Sequence, residues 1–269
     1  MRALLAACLA LAGCGHPAAP PTVGEKPTIV SLNPCTDAIL AEVAAPVQIL
    51  ALSHYSHDPR ATSMRVERAR RFRATGGTVE EVLALDPDVV VGSSFMAPAT
   101  RAAFARLGIR VETVGIASTV EESTDQVRRL AAVAGHPARG EALVRRIESA
   151  VAAAQARAGQ PVSAILWQQD GIVPGEGALV SDLMARAGFA NHSAALGMGQ
   201  ADYLSLEGVL IDPPHVLLVA GTARGQRHPA LSMVSAMRIE PFDPSLLYCG
   251  GPTIVRAMER LAEVRRSVS

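Results

Sequence analysis

Aromatic residues are scarce in this chain of 269 residues, where they make up 3% of the total. The sequence holds one tryptophan and three tyrosines, so the position of each of them is informative. Apolar residues as a whole are plentiful at 49%, enough for one large core or for two cores of ordinary size. We therefore expect a folded protein with a sizeable core, in which the position of each aromatic side chain is worth locating.

Net charge is also missing, because 25 basic residues balance 25 acidic ones, and Lys26 is the only lysine. The chain shows no basic stripe of the kind that binds nucleic acid, so we expect no nucleic-acid partner. One segment, residues 62–73, is rich in arginine. Charge runs of this kind usually form a solvated loop or helix face, and we interpret the segment in that way.

Motifs of common hydrolases are absent. The sequence contains no Gly-x-Ser-x-Gly elbow, no phosphate-cradling glycine loop and no His-Glu-x-x-His pair. His54, His57 and Asp58 lie close together in the sequence, but two histidines and one carboxylate are too few for a closed metal site. We predict no enzyme activity, no cofactor and no metal site. The rival hypothesis of another class is a metal-assisted hydrolase that uses these three side chains.

No hydrophobic run is long enough to span a membrane, including the apolar residues 3–11 after Arg2. A basic start, a short apolar region and small residues are typical of a secretory signal. The tetrapeptide Leu11-Ala12-Gly13-Cys14 resembles a bacterial lipobox, which implies lipid on Cys14 after cleavage. The alternative is an ordinary signal with a chance cysteine. We predict a signal peptide over residues 1–13 and a flexible tether rich in Pro, Ala and Gly over residues 14–27.

One pattern occurs twice, over residues 78–91 and again over residues 205–218. Each copy begins with a hydroxyl residue that can cap a helix, followed two residues later by a glutamate in the first turn. Each predicted helix ends before a proline and leads into a Val- and Leu-rich strand of the type buried on both faces. The repeat predicts two similar lobes, with Glu80 and Glu207 at equivalent places.

Strands and helices alternate in both halves, which is typical of α/β lobes with parallel sheets. A stretch over residues 139–158, without Gly or Pro apart from Gly140 at its start, predicts a helix of roughly 30 Å, long enough to connect two lobes. We predict two Rossmann-like lobes joined by one long backbone helix, with a ligand cleft between them. The predicted parts are an N-terminal lobe over residues 28–136, the backbone helix over 137–160 and a C-terminal lobe over 161–269. A further helix is expected at 229–237.

The combination of lipobox, duplicated unit and long connecting helix resembles the periplasmic substrate-binding proteins of ABC importers. The closest subgroup of that family binds cobalamin, iron–siderophores or haem. The opening Ile29-Val30-Ser31-Leu32-Asn33-Pro34 is similar to the family's first strand and turn. Ser53-His54-Tyr55-Ser56 resembles the first cleft loop of the cobalamin-binding member, where a tyrosine touches the ligand.

The resemblance implies a non-catalytic periplasmic lipoprotein, held at a membrane by its lipid anchor. Such a protein captures a metal chelate and delivers it to an inner-membrane ABC permease dimer with its ATPase. Cobalamin or a related corrinoid is the expected ligand, with an iron–siderophore or haem as the alternative. We expect the protein to be a monomer.

Glu80 and Glu207 match the two glutamates that, in this family, bind arginine pockets on the permease subunits. Like charges at equivalent points of two lobes would fix the register on a two-fold partner. The alternative is that both carboxylates only complement the dipoles of their own helices.

In parallel sheets, ligands bind beyond the carboxyl ends of the strands, so the loops there are the expected cleft walls. The only tryptophan and all three tyrosines fall in these loops, which suits a large flat ligand. Trp167 could instead be a core residue at the end of its strand. Arg224 leaves an iron–siderophore as a possible ligand. The predicted ligand-binding residues are Asn33, Cys35, Tyr55, Ser94, Phe95, Trp167, Tyr203, Arg224, Tyr248 and Cys249.

Cys35 and Cys249 fall in cleft loops on opposite lobes, and three interpretations compete. They could be free thiols that line the pocket, or an inter-lobe disulfide that restrains opening. They could also help to coordinate a soft metal or the metal of a ligand. A disulfide requires the two Cα atoms to lie within about 7 Å of each other.

Overall fold

The computed structural model describes residues 26–155 and 160–268. The predicted signal peptide, Cys14 and most of the predicted tether lie outside the described residues. Within those two ranges, none of the helices combines the length and the apolar character needed to cross a bilayer.

The N-terminal part of the chain forms a five-stranded parallel sheet in the order β3-β2-β1-β4-β5. Its strands are β1 (Ile29–Ser31), β2 (Ile49–Ser53), β3 (Ala74–Thr75), β4 (Val89–Ser93) and β5 (Arg110–Val114). The helices that alternate with them are α1 (Pro34–Val43), α2 (Val66–Ala69), α3 (Val79–Leu83), α4 (Pro98–Arg106) and α5 (Val120–Val133). The central strands β1 and β4 are aligned with Ile29 opposite Val89 and Ser31 opposite Val91.

A single long helix follows, α6 (Pro137–Gln155), and it starts where the sequence predicts the backbone helix. Gly135, with a φ of 73°, separates it from α5, and Pro137 occupies its first turn, where proline is tolerated. Residues 156–159, within the predicted extent of this helix, lie outside the described residues.

The C-terminal part builds a four-stranded parallel sheet in the order β11-β10-β6-β8, together with a small antiparallel pair, β7 with β9. Its strands are β6 (Val162–Gln168), β7 (Ile172–Val173), β8 (Phe189–Asn191), β9 (Asp202–Tyr203), β10 (Val216–Ala220) and β11 (Arg238–Pro241). Its helices are α7 (Leu179–Arg186), α8 (His192–Ala195), α9 (Leu206–Ile211) and α10 (Thr253–Ser267). These two lobes and the helix between them confirm the predicted α/β architecture.

The prediction of a helix over residues 229–237 is wrong. The chain forms only a 3-10 turn at Pro229–Met233 and then enters β11. Of the residues in this segment only Leu231 and Met237 are buried, so no apolar stripe exists to hold a longer helix against the sheet.

The duplicated pattern folds as predicted into two equivalent units. In the first, Thr78 caps α3 by accepting a hydrogen bond from the Glu81 backbone N–H at 3.2 Å. In the second, Ser205 caps α9 by accepting one from the Gly208 N–H at 3.2 Å. The strands that follow, β4 and β10, are interior strands of their sheets and are almost wholly buried.

The two lobes share one apolar core, which runs through α6. Ile147 of α6 is fully buried and belongs to the same cluster as Val89 of the first sheet and Leu218 of the second. Helices α5 and α10 pack on α6 from either side. Each sheet has a smaller core on its other face. Because the lobes are joined through packed side chains, we expect them to move little relative to each other.

Candidate functional site

A cavity of about 330 Å³ lies between the lobes, at the carboxyl ends of the parallel strands. The N-terminal lobe contributes the turn after β1, the loop after β4 and the chain after β5. The C-terminal lobe contributes Gln168 at the end of β6, the start of α7 and the loop before α10. Its volume is at the small end of the range of ligand pockets, roughly 300–1,000 Å³.

The polar part of this cavity is uncharged. Four amide side chains line it, and none of its described lining residues is Asp, Glu, Lys, Arg or His. The amides are Asn33, Gln126, Gln168 and Gln200. Only Asn33 was predicted as a site residue. Gln168 and Gln200 fall within loops that the strand-end rule identifies, whereas Gln126 lies on α5 and has no such signal.

A disulfide joins Cys35 to Cys249 across the two lobes, with the Cα atoms 5.1 Å apart. Cys35 lies in the first turn of α1, where the Asn33 carboxamide accepts hydrogen bonds from the Cys35 and Thr36 N–H groups. Both cysteines line the cavity. Of the three interpretations of this cysteine pair, the structure therefore supports the inter-lobe disulfide.

The loop that carries Cys249 is fitted closely to the N-terminal lobe. The Gly251 N–H donates to Ser123 Oγ of α5 at 2.7 Å, and Gly251 has a φ of 58°. A Cβ on Gly250 would lie 2.4 Å from the same hydroxyl oxygen, so a side chain there would clash with Ser123 and disturb this contact. This contact and the disulfide together fix the spacing of the lobes at the base of the cavity.

Aromatic rings lie at the edge of the cavity. Phe95 and Tyr248 line it, with 75% and 39% of their surfaces exposed. Burial of the Tyr248 phenol, together with Asp243 and Asp58, raises its pKa, so the phenol is protonated at neutral pH. Tyr55 is 53% exposed and its ring centroid lies 4.1 Å from that of His54. These exposed rings are available to a flat ligand.

Trp167 does not reach the cavity. Its side chain is 3% exposed and packs in the core on the other face of the second sheet, with Leu204 and Leu231. The indole N–H donates to the Leu204 carbonyl at 2.9 Å. Because side chains alternate along a strand, Trp167 shares a face with Ile165, while Leu166 faces the shared core. This position agrees with the alternative interpretation, in which Trp167 is a core residue at the end of its strand.

Three further predicted residues are exposed but do not line the cavity. Ser94 is not part of the wall, although its neighbours Ser93 and Phe95 both line it. Tyr203 lies on β9, 63% exposed, beside Gly171. Arg224 begins a 3-10 turn after β10.

A second and wider concavity of about 1,120 Å³ adjoins the cavity and shares Gln168 and Tyr248 with it. It differs in having charged walls, since it is lined by Arg60 of the N-terminal lobe and by Asp170, Asp243 and Arg260 of the C-terminal part of the chain. The cavity and this concavity together form an open trough between the lobes, which we call the cleft.

Asp37, in the first turn of α1, holds the turn that carries Tyr55. Its Oδ2 accepts hydrogen bonds from the Ser53 N–H at 3.0 Å and from the Ser56 hydroxyl at 2.6 Å. Asp37 is fully buried, and this burial raises its pKa to about 8, against the lowering effect of the neighbouring hydroxyl and N–H donors. The carboxyl is therefore largely protonated at neutral pH, and Asp37 is a positioning residue that sequence reasoning missed.

The histidines beside Tyr55 are held by backbone carbonyls. His54 Nδ1 lies 3.3 Å from the Thr75 oxygen, and His57 Nε2 lies 3.1 Å from the Ala69 oxygen. Asp58 forms a hydrogen-bonded ion pair with Arg60, which lowers its pKa. Across the residues that the structure describes, no group of three or more His, Cys, Asp or Glu side chains is arranged to hold a metal ion.

Glu80 and Glu207 occupy equivalent positions, each in the first turn of the helix that precedes a central strand. Both are exposed, and neither forms an ion pair within the described ranges. Because these helices lead into the amino ends of β4 and β10, we expect their own first turns to lie towards the carboxyl edge of each sheet, where the cleft opens. The adjacent Glu81 is instead engaged by the Thr75 hydroxyl and the Gly76 N–H, which lowers its pKa.

Comparison with solved structures agrees with this architecture. The heme-binding protein RhuT of Roseiflexus sp. RS-1, in apo form, superposes with a TM-score of 0.73 at 22% identity, covering 91% of this chain and 99% of that one. The heme-binding protein HutB of Vibrio cholerae gives 0.73 at 18% identity, covering 88% and 98%. The vitamin B12-binding protein BtuF of Vibrio cholerae gives 0.68 at 19% identity, covering 90% and 97%.

No curated protein sequence matches the chain. The sequence model of a protein family does match it, over residues 29–242, and the family is described as periplasmic binding protein. That span includes both sheets, α6 and the walls of the cleft apart from the loop before α10 and Arg260 of that helix. Members of this family and the similar solved structures are binding proteins rather than enzymes. The chain therefore belongs to the periplasmic binding protein family.

Proposed function

We propose that this protein captures a corrinoid, cobalamin or a close relative, in the cleft between its lobes and delivers it to an inner-membrane ABC importer. The observation that carries the choice of ligand is the uncharged cavity, with four amides and no charged side chain among its described lining residues. The edge of a corrin ring carries mostly amide groups, which pair with protein amides as donors and acceptors. Haem carries two propionates, and their burial without cations would be unfavourable.

The size and shape of the cleft suit a ligand that is only partly enclosed by the protein. A corrinoid is larger than the 330 Å³ cavity, so we infer that one edge of it enters the cavity while the rest lies over the wider concavity. The exposed rings of Phe95, Tyr248 and Tyr55 would cover its flat surface. The disulfide and the shared core would keep this trough open and preformed, which reduces the entropy lost on binding.

The proposed contact set is narrower than the set predicted from the sequence. It keeps Asn33, Tyr55, Phe95 and Tyr248, with the Cys35–Cys249 disulfide as part of the wall, and adds Gln126, Gln168 and Gln200. Ser94, Trp167, Tyr203 and Arg224 are left out, because none of them lines the cavity. Tyr55 does not line it either, but is kept because its turn leads into Pro59 and Arg60 of the wider concavity.

Haem is the second candidate, supported by a separate observation. His54 and Tyr55 are exposed side by side in the turn that leads to Pro59 and Arg60 of the wider concavity, and an imidazole or a phenolate is a usual axial ligand of haem iron. Arg60, on the wider concavity, could pair with a propionate. Five of the similar solved structures are heme-binding proteins and one binds vitamin B12, which supports a flat tetrapyrrole chelate as the ligand class.

Delivery rests on Glu80 and Glu207. We infer that these carboxylates, exposed on rigid helix starts at the cleft edge of the two lobes, dock on basic pockets of a permease dimer. Lipid on Cys14 would hold the protein at the membrane through the tether over residues 14–27. A monomer suits this arrangement, because its two lobes already present two equivalent acids to two permease subunits.

Calorimetric titration with cobalamin tests the ligand assignment. We expect saturable binding, weakened about tenfold or more by Tyr248→Ala, because the ring provides area and stacking in the cleft. Tyr203→Ala is the matched control, an exposed tyrosine that does not line the cavity, and should bind as the wild type does. Binding of haem but not of cobalamin, with loss on Tyr55→Ala, would replace the corrinoid by the second candidate. Equal affinities of the two tyrosine variants for cobalamin would remove Tyr248 from the site.

A further inference from the structure

A separate pocket, of about 220 Å³, lies outside the cleft, where the two lobes meet the backbone helix. None of its lining residues belongs to the cleft. Its walls come from α1, from the chain before and within α2, from α6 and from the first turn of α10. Both lobes and the connecting helix therefore contribute to it. It coincides with the arginine-rich segment that the sequence alone suggests to be a solvated face.

The charge of this pocket is strongly positive. Four arginines line it against a single carboxylate, that of Glu42. Glu42 is already engaged, because it pairs with Arg68 and accepts a hydrogen bond from Arg146 Nη1 at 3.0 Å. Within the described part of the chain no ion pair is found for Arg65 or Arg256, although Arg256 donates to the Ser63 carbonyl. Most of the positive charge is therefore not neutralised by the protein.

A buried hydroxyl in the wall gives an independent observation. Ser63 is 2% exposed, it lines the pocket, and its Oγ has no hydrogen-bond partner in the described structure. A buried polar atom without a partner is unfavourable, and native proteins seldom leave one unless something binds there. The first turn of α10 adds the positive end of a 15-residue helix to the same wall.

We propose that this pocket binds a phosphate group, with Arg65, Arg68, Arg146 and Arg256 as the cations and the Ser63 hydroxyl as a hydrogen-bond donor. Guanidinium groups are the side chains best suited to oxyanions, since they present paired N–H donors in a plane. A phosphate has enough acceptor oxygens for several arginines and a hydroxyl. The same group occurs in free phosphate and in phospholipid headgroups, and either could fill the pocket. A bound phosphate would link α2 of the N-terminal lobe to α10 of the C-terminal lobe.

Calorimetry of the full-length protein in a non-ionic detergent, with inorganic phosphate at constant ionic strength, tests the proposal. We expect one saturable site, and an affinity at least about tenfold lower in the double variant Arg65→Gln, Arg256→Gln, because two charge-assisted hydrogen bonds are lost. The matched control is Arg101→Gln with Arg106→Gln, two exposed arginines of α4 outside the pocket, which should bind phosphate as the wild type does. No saturable binding, or equal weakening by both double variants, would overturn the proposal.

Ser63→Ala provides a second test that does not depend on the arginines. It should weaken phosphate binding about threefold or more, through loss of one hydrogen bond. Without phosphate it should leave the melting temperature unchanged or raise it, because an unpartnered buried hydroxyl is removed. Unaltered phosphate affinity in Ser63→Ala would contradict the assigned site even if the arginine variant failed to fold.

The source of the phosphate is distinguished with a soluble headgroup. Glycerophosphoglycerol, which is phosphatidylglycerol without its acyl chains, should bind more tightly than inorganic phosphate if the natural ligand is a lipid headgroup. Tighter binding of inorganic phosphate would identify free phosphate as the natural ligand. Either order of the two affinities supports a phosphate site. Acetate binding as tightly as phosphate would overturn it, because a site for a carboxylate would not need the additional donors.

Discussion

Breaking the Cys35–Cys249 disulfide should destabilise the protein strongly, because the bond closes a very long loop. The two residues are 214 positions apart in the sequence. In the chain-entropy model a crosslink over such a loop lowers the entropy of the unfolded chain by an amount worth about 5 kcal/mol at 25 °C. For a chain of this size each kcal/mol shifts the melting temperature by roughly 2–4 °C, so we expect a decrease of roughly 10–20 °C.

Thermal unfolding followed by circular dichroism, in the oxidised protein and in the double variant Cys35→Ser, Cys249→Ser, measures this change. The double variant should still fold at room temperature, because α6 and the shared core hold the lobes together without the bond. Reductant should lower the melting temperature of the wild type to that of the variant and leave the variant unchanged. This last comparison controls for Cys14, the cysteine that remains outside the bond in both proteins after removal of the predicted signal peptide. If the oxidised and reduced proteins melted at the same temperature, the assigned restraint between the lobes would be refuted.

Three further predictions concern the docking acids, the buried acid and the core. Replacing Glu80 and Glu207 by alanine should abolish uptake but leave ligand affinity intact. The control variant, with the exposed pair Glu67→Ala and Glu259→Ala, should change neither uptake nor affinity. Normal uptake in the first variant would end the docking proposal. Because the pKa of Asp37 is raised from 3.8 to about 8, the native state keeps a proton that the unfolded state releases, so its contribution to stability should fall between about pH 4 and pH 8, by up to about 6 kcal/mol. Urea unfolding of Asp37→Asn should show a flatter pH profile, and parallel profiles would contradict the buried, protonated carboxyl. Ile147→Ala should lower the free energy of unfolding by about 2–5 kcal/mol in a single cooperative transition of both lobes, and two separate transitions would show that the core is not shared.

The fold could be predicted from the sequence wherever local chemistry and burial agree. Thr78 and Ser205 cap their helices as their position before an apolar run predicts, and β4 and β10 are interior strands, as their unbroken Val and Leu runs predict. The edge strand β11 was missed. Its sequence, Arg238-Ile239-Glu240-Pro241, is polar and ends in proline, which is tolerated at a sheet edge but gives no strand signal.

The candidate site was only partly predictable, because loop position does not fix the direction of a side chain. Phe95 and Tyr248 line the cavity as their loops suggest, whereas the alternation of strand β6 turns Trp167 away into the core. The pairing of two cysteines from opposite ends of the chain depends on the packing of α1 and α10 around α6, which no local pattern encodes. Gln126 faces the cavity from a helix, and the protonated state of Asp37 follows from burial by distant residues.

Competition between cobalamin and haem for one protein sample tests the central claim most directly. Limiting protein is dialysed against equal concentrations of the two chelates, and the bound fraction of each is read from its absorption spectrum. The account predicts that cobalamin is retained in excess, because the cavity has amides and aromatic rings but no charged side chain among its described lining residues. Retention of haem in excess, or of neither chelate, would contradict it.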